Sequence, residues 1–216
     1  MLKADLHVHT EYSPDCNTPL ARIIDRCLEV GINCIAISDH NTIEGALKMQ
    51  DIAPFRVIVA EEILTPHGEI MGMFLKESIP GGLSVAETIS RIRTQDGLVA
   101  IPHPFDRFRQ SALNIDITRR LAEQGELDFI EVFNSRTPLY RSSARAESFA
   151  RKYGIPGSAG SDAHTVQSIG DAYVEMPEFN GCQDFPGALA RGTVCGHRTN
   201  PFVHINSVLA RLKSKL

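Results

Sequence analysis

The sequence is short of most features that would tie a protein to a membrane, a nucleic acid or an oxidising compartment. No apolar run approaches the roughly 20 residues that a bilayer-spanning helix needs. Lys3, Asp5 and two histidines interrupt the first residues, so they carry no secretory pattern. Cysteines stand at 16, 27, 34, 182 and 195, an odd number without CxxC spacing. That pattern argues against a disulfide framework and for a reducing compartment. Positive charge is also scarce, with 22 Lys and Arg against 26 Asp and Glu and a formal charge of −4. Neither a general attraction for polyanions nor the basic-aromatic runs of a long nucleic-acid groove are present. GxxxxGK[ST] and GxGxxG are missing, which excludes those two phosphate-binding loops. No linker, low-complexity tract or internal repeat divides the chain. The sequence therefore predicts a cytoplasmic protein without a membrane partner, its residues 1–216 forming one domain.

What is present is an ordinary globular composition, 43% hydrophobic and 22% charged, long enough for a full core. Strand-like runs are read at residues 2–8, 34–38, 56–60, 70–75, 98–101, 129–133, 156–159 and 172–176. Between them fall helical stretches at 19–30, 42–49, 84–94, 116–124, 140–153 and 185–191, with a last one near 206–213. Leu20, Ile23, Ile24, Cys27 and Leu28 share one helical face, and Gly31 follows where a left-handed cap belongs. Asn41 or Thr42 is placed to cap the second helix, and Ser84 with Glu87 forms a capping-box pattern. Repeated βα units with short connections predict a mostly parallel sheet covered by helices.

Metal-ligating side chains gather where such a sheet keeps its active site, beyond the carboxyl ends of the strands. His7 and His9 are two apart on the first strand, so both rings project to one side and can grip one ion. Asp15, Asp39 and His40, Glu61 and Glu62, His103, Asn134, and Asp162 with His164 follow. A single zinc site takes three or four ligands, and about nine candidates are available. The surplus predicts two or three divalent ions sharing a bridging carboxylate. Mixed His and Asp/Glu ligation without thiolates suits Mn²⁺, Zn²⁺ or Fe²⁺.

Six stretches carry a resemblance: Asp5-Leu6-His7-Val8-His9-Thr10 with Tyr12-Ser13-Pro14-Asp15; Ile37-Ser38-Asp39-His40-Asn41; Glu61-Glu62-Ile63; Ile101-Pro102-His103-Pro104; Glu131-Val132-Phe133-Asn134; and Gly160-Ser161-Asp162-Ala163-His164. Their order and content resemble the PHP family, the polymerase-and-histidinol-phosphatase family of metal-dependent phosphoesterases. The resemblance runs from residue 5 to about 175. It implies an α/β fold, a single distorted (β/α)7 barrel with a trinuclear site in a cleft at the C-terminal ends of the strands. By position it implies that His7, His9, Glu62 and Asp162 hold one ion. Asp15, His40 and His164 hold another, and Glu62 bridges to a third held with His103. Many members place a further histidine after the bridging glutamate; here that slot reads Gly68-Glu69-Ile70, so a carboxylate stands there.

Other roles compete at several positions. Asp15 and His40 have an alternative role as caps of the helices that follow them. Glu61 and Glu62 compete for the bridging place, and Glu62, directly before Ile63, fits the family pattern. Glu69 is either a ligand or a solvated residue. His67, in a Thr-Pro-His-Gly turn, reads as a solvent-facing loop residue, His197 and His204 as surface or core residues, and the cysteines as small core residues. Arg107, Arg109 and Arg136 lie on the same face as the ligands, where guanidinium groups suit bidentate contact with phosphate or else remain solvated. The reading that results is hydrolysis of a small phosphomonoester, a nucleotide or a histidinol-phosphate-like molecule, by metal-activated water. Alternatives are a nuclease acting on short oligonucleotides and a non-catalytic metal-binding regulatory module. Residues 77–84, 104–115 and 134–142 are the loops expected to set specificity.

Overall fold

Among the described residues, 1–198 of the computed structural model, the apolar runs and amphipathic stretches become nine strands and six helices. The helix expected near 206–213 and His204 lie outside the described residues. In chain order the elements are β1 (Leu2–Val8), α1 (Leu20–Val30), β2 (Cys34–Ile37), α2 (Glu44–Ile52), β3 (Arg56–Thr65) and β4 (Gly68–Met73). There follow α3 (Val85–Thr94), β5 (Leu98–Ile101), α4 (Ile115–Glu123), β6 (Phe129–Asn134), α5 (Tyr140–Tyr153) and β7 (Gly157–Gly160). A 3-10 turn at Val166–Ser168, β8 (Ala172–Met176), α6 (Phe185–Leu189) and β9 (Thr193–Gly196) complete them.

The sheet order β7-β6-β5-β4-β3-β2-β1-β8-β9 makes β1 to β7 the wall of a nearly closed barrel. The free edge of β1 is divided. Leu2, Lys3 and Ala4 pair antiparallel with β8, whereas the C-terminal half of the strand meets β7. There Asp162 N–H donates to His7 O at 2.7 Å and His9 N–H to Ala163 O at 3.1 Å. The α/β barrel class holds, with two further strands, β8 and β9, added antiparallel beyond β1.

One strand departs from the repeated βα pattern. β3, ten residues long, runs on past the expected end at residue 60 to Thr65 and turns directly into β4, which is antiparallel to both β3 and β5. Only Pro66 and His67 join the two strands, and a parallel connection would need a dozen residues or more. Thr65 Oγ, 2.6 Å from Gly68 O, and the positive φ of Gly68, 119°, shape the turn.

Two apolar clusters fill the barrel and its helical coat. Ile35 and Ile37 pack with the helix layer, and Cys34 and Ala36 with the other cluster, so β2 is buried on both faces. This is why the run reads as continuously apolar. Leu6 and Val8, two residues apart, belong to different clusters; a register shift between Asp5 and Val8 breaks the alternation there. Phe74, Phe129, Phe179 and Phe185 stack edge-on with ring centroids 5.1–6.1 Å apart near the N-terminal ends of the parallel strands. That end of the barrel is packed with rings, which leaves the opposite end for chemistry. Cys16, Cys27 and Cys34 are buried and Cys182 and Cys195 half-buried, all as free thiols.

Helix ends follow the expected chemistry in part. Gly31 caps α1 at φ 74°, and Ser84 Oγ accepts from Glu87 N–H at 3.2 Å. α2 begins two residues later than expected, after Ile43, with Thr42 Oγ accepting from Glu44 N–H. Neither Asp15 nor His40 is a helix cap: α1 starts after Pro19 and α2 after Ile43. No helix among the described residues is long and apolar enough to cross a membrane.

Candidate metal centre

Strand ends bring His7, His9, His40, Glu62, His103 and Asp162 together. The rings of His7 and His9 converge as their spacing predicts, with Nε2 atoms 3.2 Å apart. Glu62 Oε2 lies 3.4 Å from His7 Nε2, 3.3 Å from His9 Nε2 and 3.5 Å from His40 Nδ1. Asp162 Oδ1 lies 3.5 Å from His9 Nε2 and 3.9 Å from His7 Nε2. His103 Nε2 reaches Glu62 Oε1 at 2.7 Å and Glu69 Oε2 at 3.3 Å. Asp15 Oδ2 sits 3.0 Å from His164 Nε2 and 3.5 Å from His40 Nε2.

The donor set fits divalent ions. Two donors about 2.1 Å from one ion at a tetrahedral angle lie about 3.4 Å apart. Most of the separations above are close to that spacing, too long for good hydrogen bonds and short for unconnected charges. Three overlapping groups offer ligand atoms within 4.8 Å of one another: His9, Asp15, His40 and His164; His7, His9 and Asp162; and His40, Glu62 and Glu69. Glu62 Oε2 and Glu69 Oε2 are buried without a hydrogen-bond donor. Such oxygens are uncommon in folded proteins unless an ion or water meets them. Glu69 is buried, which removes the solvated alternative. Glu61 Oε1 is likewise buried without a donor, but Glu61 is in none of these groups: its Oε2 accepts from Ile79 N–H at 2.9 Å, and burial pushes its carboxyl up to about 7.

Charge is concentrated and mutually compensated. Burial opposes ionisation of Glu62 and Asp162, yet surrounding cations hold both well below the carboxylate range: His7 and His103 act on Glu62, Arg109 and Arg136 on Asp162. Burial likewise opposes the charged form of His40, but Asp15, Glu62 and Glu69 raise it to about 9. His164 goes the other way, to about 4, through burial and the nearby charges of His9 and Arg136.

The arginines are placed differently from one another. Arg109 Nη2 donates to Asp162 Oδ2 at 2.5 Å and Arg136 Nη1 to Asp162 Oδ1 at 3.1 Å. Both line a cleft of about 530 Å³ with Asp15, His40, Glu69, Phe108, Pro138 and His164. Arg107 is exposed and does not line it, so of the three arginines expected on this face Arg109 and Arg136 reach the cleft and Arg107 does not. The physical reason is the irregular backbone after β5, where His103 and Phe105 both have positive φ, 30° and 63°. Residues of 104–115 and 134–142 border the cleft as expected, whereas none of 77–84 does. His67 and His197 are exposed, away from the cluster.

Several buried polar residues of the family-like stretches hold the ligands in place, Asp39 among them. Asp39 accepts from Thr10 N–H at 2.6 Å and Thr10 Oγ at 2.7 Å, fixing the loop after β1. Asp5 accepts from Ser161 N–H at 2.9 Å and Gly170 N–H at 3.0 Å, tying β1 to the segment that carries Asp162; burial pushes its carboxyl up to about 6. Ser13 Oγ donates to Asp15 Oδ1 at 2.9 Å. Glu131 reaches His7. In the sequence it opens the family-like stretch Glu131-Val132-Phe133-Asn134 and stands out as an acid in the middle of the apolar run Phe129-Ile130-Glu131-Val132-Phe133.

Comparison with known proteins agrees with this arrangement. Residues 5–63 match the PHP domain model and residues 141–194 the PHP-associated model, PHP_C. The chain is 34% identical over 180 residues to the uncharacterized protein MJ0417 of Methanocaldococcus jannaschii, covering 83% of this chain and 72% of that one. It is 38% identical over 147 residues to MJ1587 of the same organism, covering 62% and 82%. Among solved structures, a two-domain protein from Bacteroides vulgatus containing a predicted PHP-like metal-dependent phosphoesterase superposes with a TM-score of 0.73 at 20% identity. That match covers 91% of this chain and 65% of the other, so the likeness spans somewhat under two thirds of the larger protein. With the ligand-bearing strand ends, the barrel and the sequence relationship in agreement, the chain belongs to the PHP domain family.

Proposed function

We propose that this protein is a metal-dependent phosphoesterase that hydrolyses a small phosphomonoester. One observation carries the reading: three groups of ligand atoms, linked in a chain by His9 and His40, lie beside two guanidinium groups that border the same cleft. His7, His9, Glu62 and Asp162 would hold one ion, and Asp15, His40 and His164 a second. Glu62 would bridge to a third with His103 and Glu69. Mn²⁺, Zn²⁺ or Fe²⁺ bound there would supply an activated water and charge stabilisation for displacement at phosphorus.

The protein's own groups complete the chemistry. Arg109 and Arg136 each donate to Asp162 and line the cleft, where their remaining N–H groups can bind oxygens of a phosphate. Phe108 and Pro138 at the rim offer an apolar surface to the alcohol portion of the ester. The cleft, about 530 Å³, suits a small molecule. The unspaced, odd-numbered cysteines support a cytoplasmic setting for this activity.

The test is a hydrolysis screen of metal-free protein reconstituted separately with Mn²⁺, Zn²⁺, Mg²⁺ or Fe²⁺. Mononucleotides, nucleoside bisphosphates, sugar and amino-alcohol phosphates and short oligonucleotides form the panel. Metal-dependent release of phosphate from monoesters is the expected result. Turnover of oligonucleotides alone would replace this reading with a nuclease, and tight metal binding without any turnover would point to a regulatory module.

A further inference from the structure

We infer that Glu131 is a positioning residue that sets the ring of His7 and the backbone of His103, a role that rests on the metal-dependent reading above. Glu131 is nearly fully buried in β6. Its Oε1 lies 3.1 Å from His7 Nδ1. Its Oε2 accepts from the backbone N–H of His103 at 2.5 Å and from Asn134 Nδ2 at 3.0 Å. Asn134 Nδ2 also lies 3.2 Å from Asp162 Oδ2. One carboxylate thus reaches β1 and the segment after β5 directly, and the segment after β7 through Asn134.

Each contact has a purpose that filling space would not require. An imidazole that offers Nε2 to an ion carries its proton on Nδ1, so an acceptor at Nδ1 fixes both tautomer and ring angle. His7 turns Nε2 toward His9, Glu62 and Asp162 while Nδ1 faces Glu131. At His103 the backbone has φ 30°, a left-handed conformation that a non-glycine residue holds only when its surroundings enforce it. The bond from its N–H to Glu131 is such a constraint, and Nε2 of the same residue lies 2.7 Å from Glu62. Both oxygens of Glu131 are occupied by N–H groups, which sets it apart from Glu62 and Glu69 and their undonated oxygens.

Glu131→Gln and Glu131→Ala test this in the full chain, with Zn²⁺ as the probe. The amide of Gln matches the carboxylate in size but turns an NH₂ toward one of the N–H donors, so it cannot serve all three. Two readouts are taken: Zn²⁺ affinity by chelator competition, and the ¹⁵N-edited His7 Nδ1–H resonance of the zinc-loaded protein, assigned with His7→Ala. Both variants should bind zinc about 10–100-fold more weakly. The His7 Nδ1–H signal, protected from exchange in the wild type, should lose that protection while thermal unfolding stays cooperative. Wild-type affinity and an unchanged His7 signal in both variants would overturn the inference. So would loss of the cooperative fold in both, since the carboxylate would then be holding the barrel rather than the ligands. A wild-type protein that binds no zinc would overturn the metal-dependent reading itself and this inference with it.

Discussion

Gly160, the last residue of β7, lies so close to His7 that a Cβ added to it would fall 2.3 Å from the histidine Cβ. The same added carbon would be 2.7 Å from the His7 backbone nitrogen, so the neighbour cannot yield by turning a side chain. The glycine therefore sets how near β7 approaches β1 and, through His7, where one end of the ligand cluster stands. Gly160→Ala must push the two strands apart. It should destabilise the protein by about 1–3 kcal/mol, the usual cost of an overpacked contact, and weaken metal binding. Urea unfolding combined with Zn²⁺ titration reads both, and an unchanged affinity would show that His7 moves without consequence.

Arg109 and Arg107 provide a contrast within one loop. Arg109 meets Asp162 and lines the cleft, whereas Arg107 is exposed outside it. Arg109→Ala should lower kcat/KM for a phosphomonoester by about 10–100-fold, as expected for loss of a charge-assisted phosphate contact worth roughly 1.5–3 kcal/mol. Arg107→Ala should stay within about twofold, as surface substitutions usually do. Steady-state kinetics on the two variants decide it, and equal losses would return Arg107 to the site.

The difference between these arginines shows where the sequence stops being informative. Apolar runs buried on both faces mark β2, β5 and β6, and an amphipathic stripe marks α1, because periodicity reports directly on burial. The gathering of His7, His9, His40 and Asp162 is legible for a related reason: strand ends in a βα barrel converge on one rim. The β3–β4 hairpin is hidden, since Glu61-Glu62 looks like the end of a strand that in fact continues to Thr65. Its antiparallel return is what carries Glu69 to the same rim as the parallel strand ends, close to His40 and His103. Left-handed residues such as His103 and Phe105 redirect the chain after β5 without any periodic signal, so residue spacing alone does not separate Arg109 from Arg107.

The buried thiols give a pH dependence that can be worked out independently of the metal cluster. Burial pushes Cys27 and Cys34 up to about 12. In the unfolded chain a thiol titrates near about 8.5. Above that pH the unfolded state loses protons that the folded state keeps, so the native state loses stability as pH rises from about 8.5 toward 12. Each such thiol contributes a slope of up to about 1.4 kcal/mol per pH unit. The double variant Cys27→Ala, Cys34→Ala should start less stable, because two core side chains are cut back, yet decline less steeply between pH 8.5 and 10. Denaturant unfolding across that range measures the two slopes. Parallel slopes would mean that these thiols ionise equally readily in both states.

Glu62 and Glu69 stand on paired strands of the same hairpin, but their surroundings predict unequal roles. Glu62 is wholly buried and faces four imidazoles, those of His7, His9, His40 and His103, at 2.7–3.5 Å. Glu69 faces two, His40 at 3.5 Å and His103 at 3.3 Å, and borders the cleft. A carboxylate in the first position can bridge ions. Removing it would leave cations repelling one another at short range, where little water screens them. A carboxylate in the second position is a terminal ligand whose vacancy cleft water can fill. Glu62→Gln should therefore abolish measurable hydrolysis and lower the number of ions bound per chain, whereas Glu69→Gln should reduce the rate by about tenfold, the scale of a 1.4 kcal/mol loss. Replacing Glu69 by His trades a hard oxygen for a softer nitrogen and removes one negative charge from the cleft, so it should move metal preference from Mn²⁺ toward Zn²⁺. Titrating each variant with both metals while following rate and bound metal separates these outcomes. If Glu69→His changes neither affinity nor rate, Glu69 lies outside the coordination sphere and the ions are held by fewer protein ligands than the cluster offers.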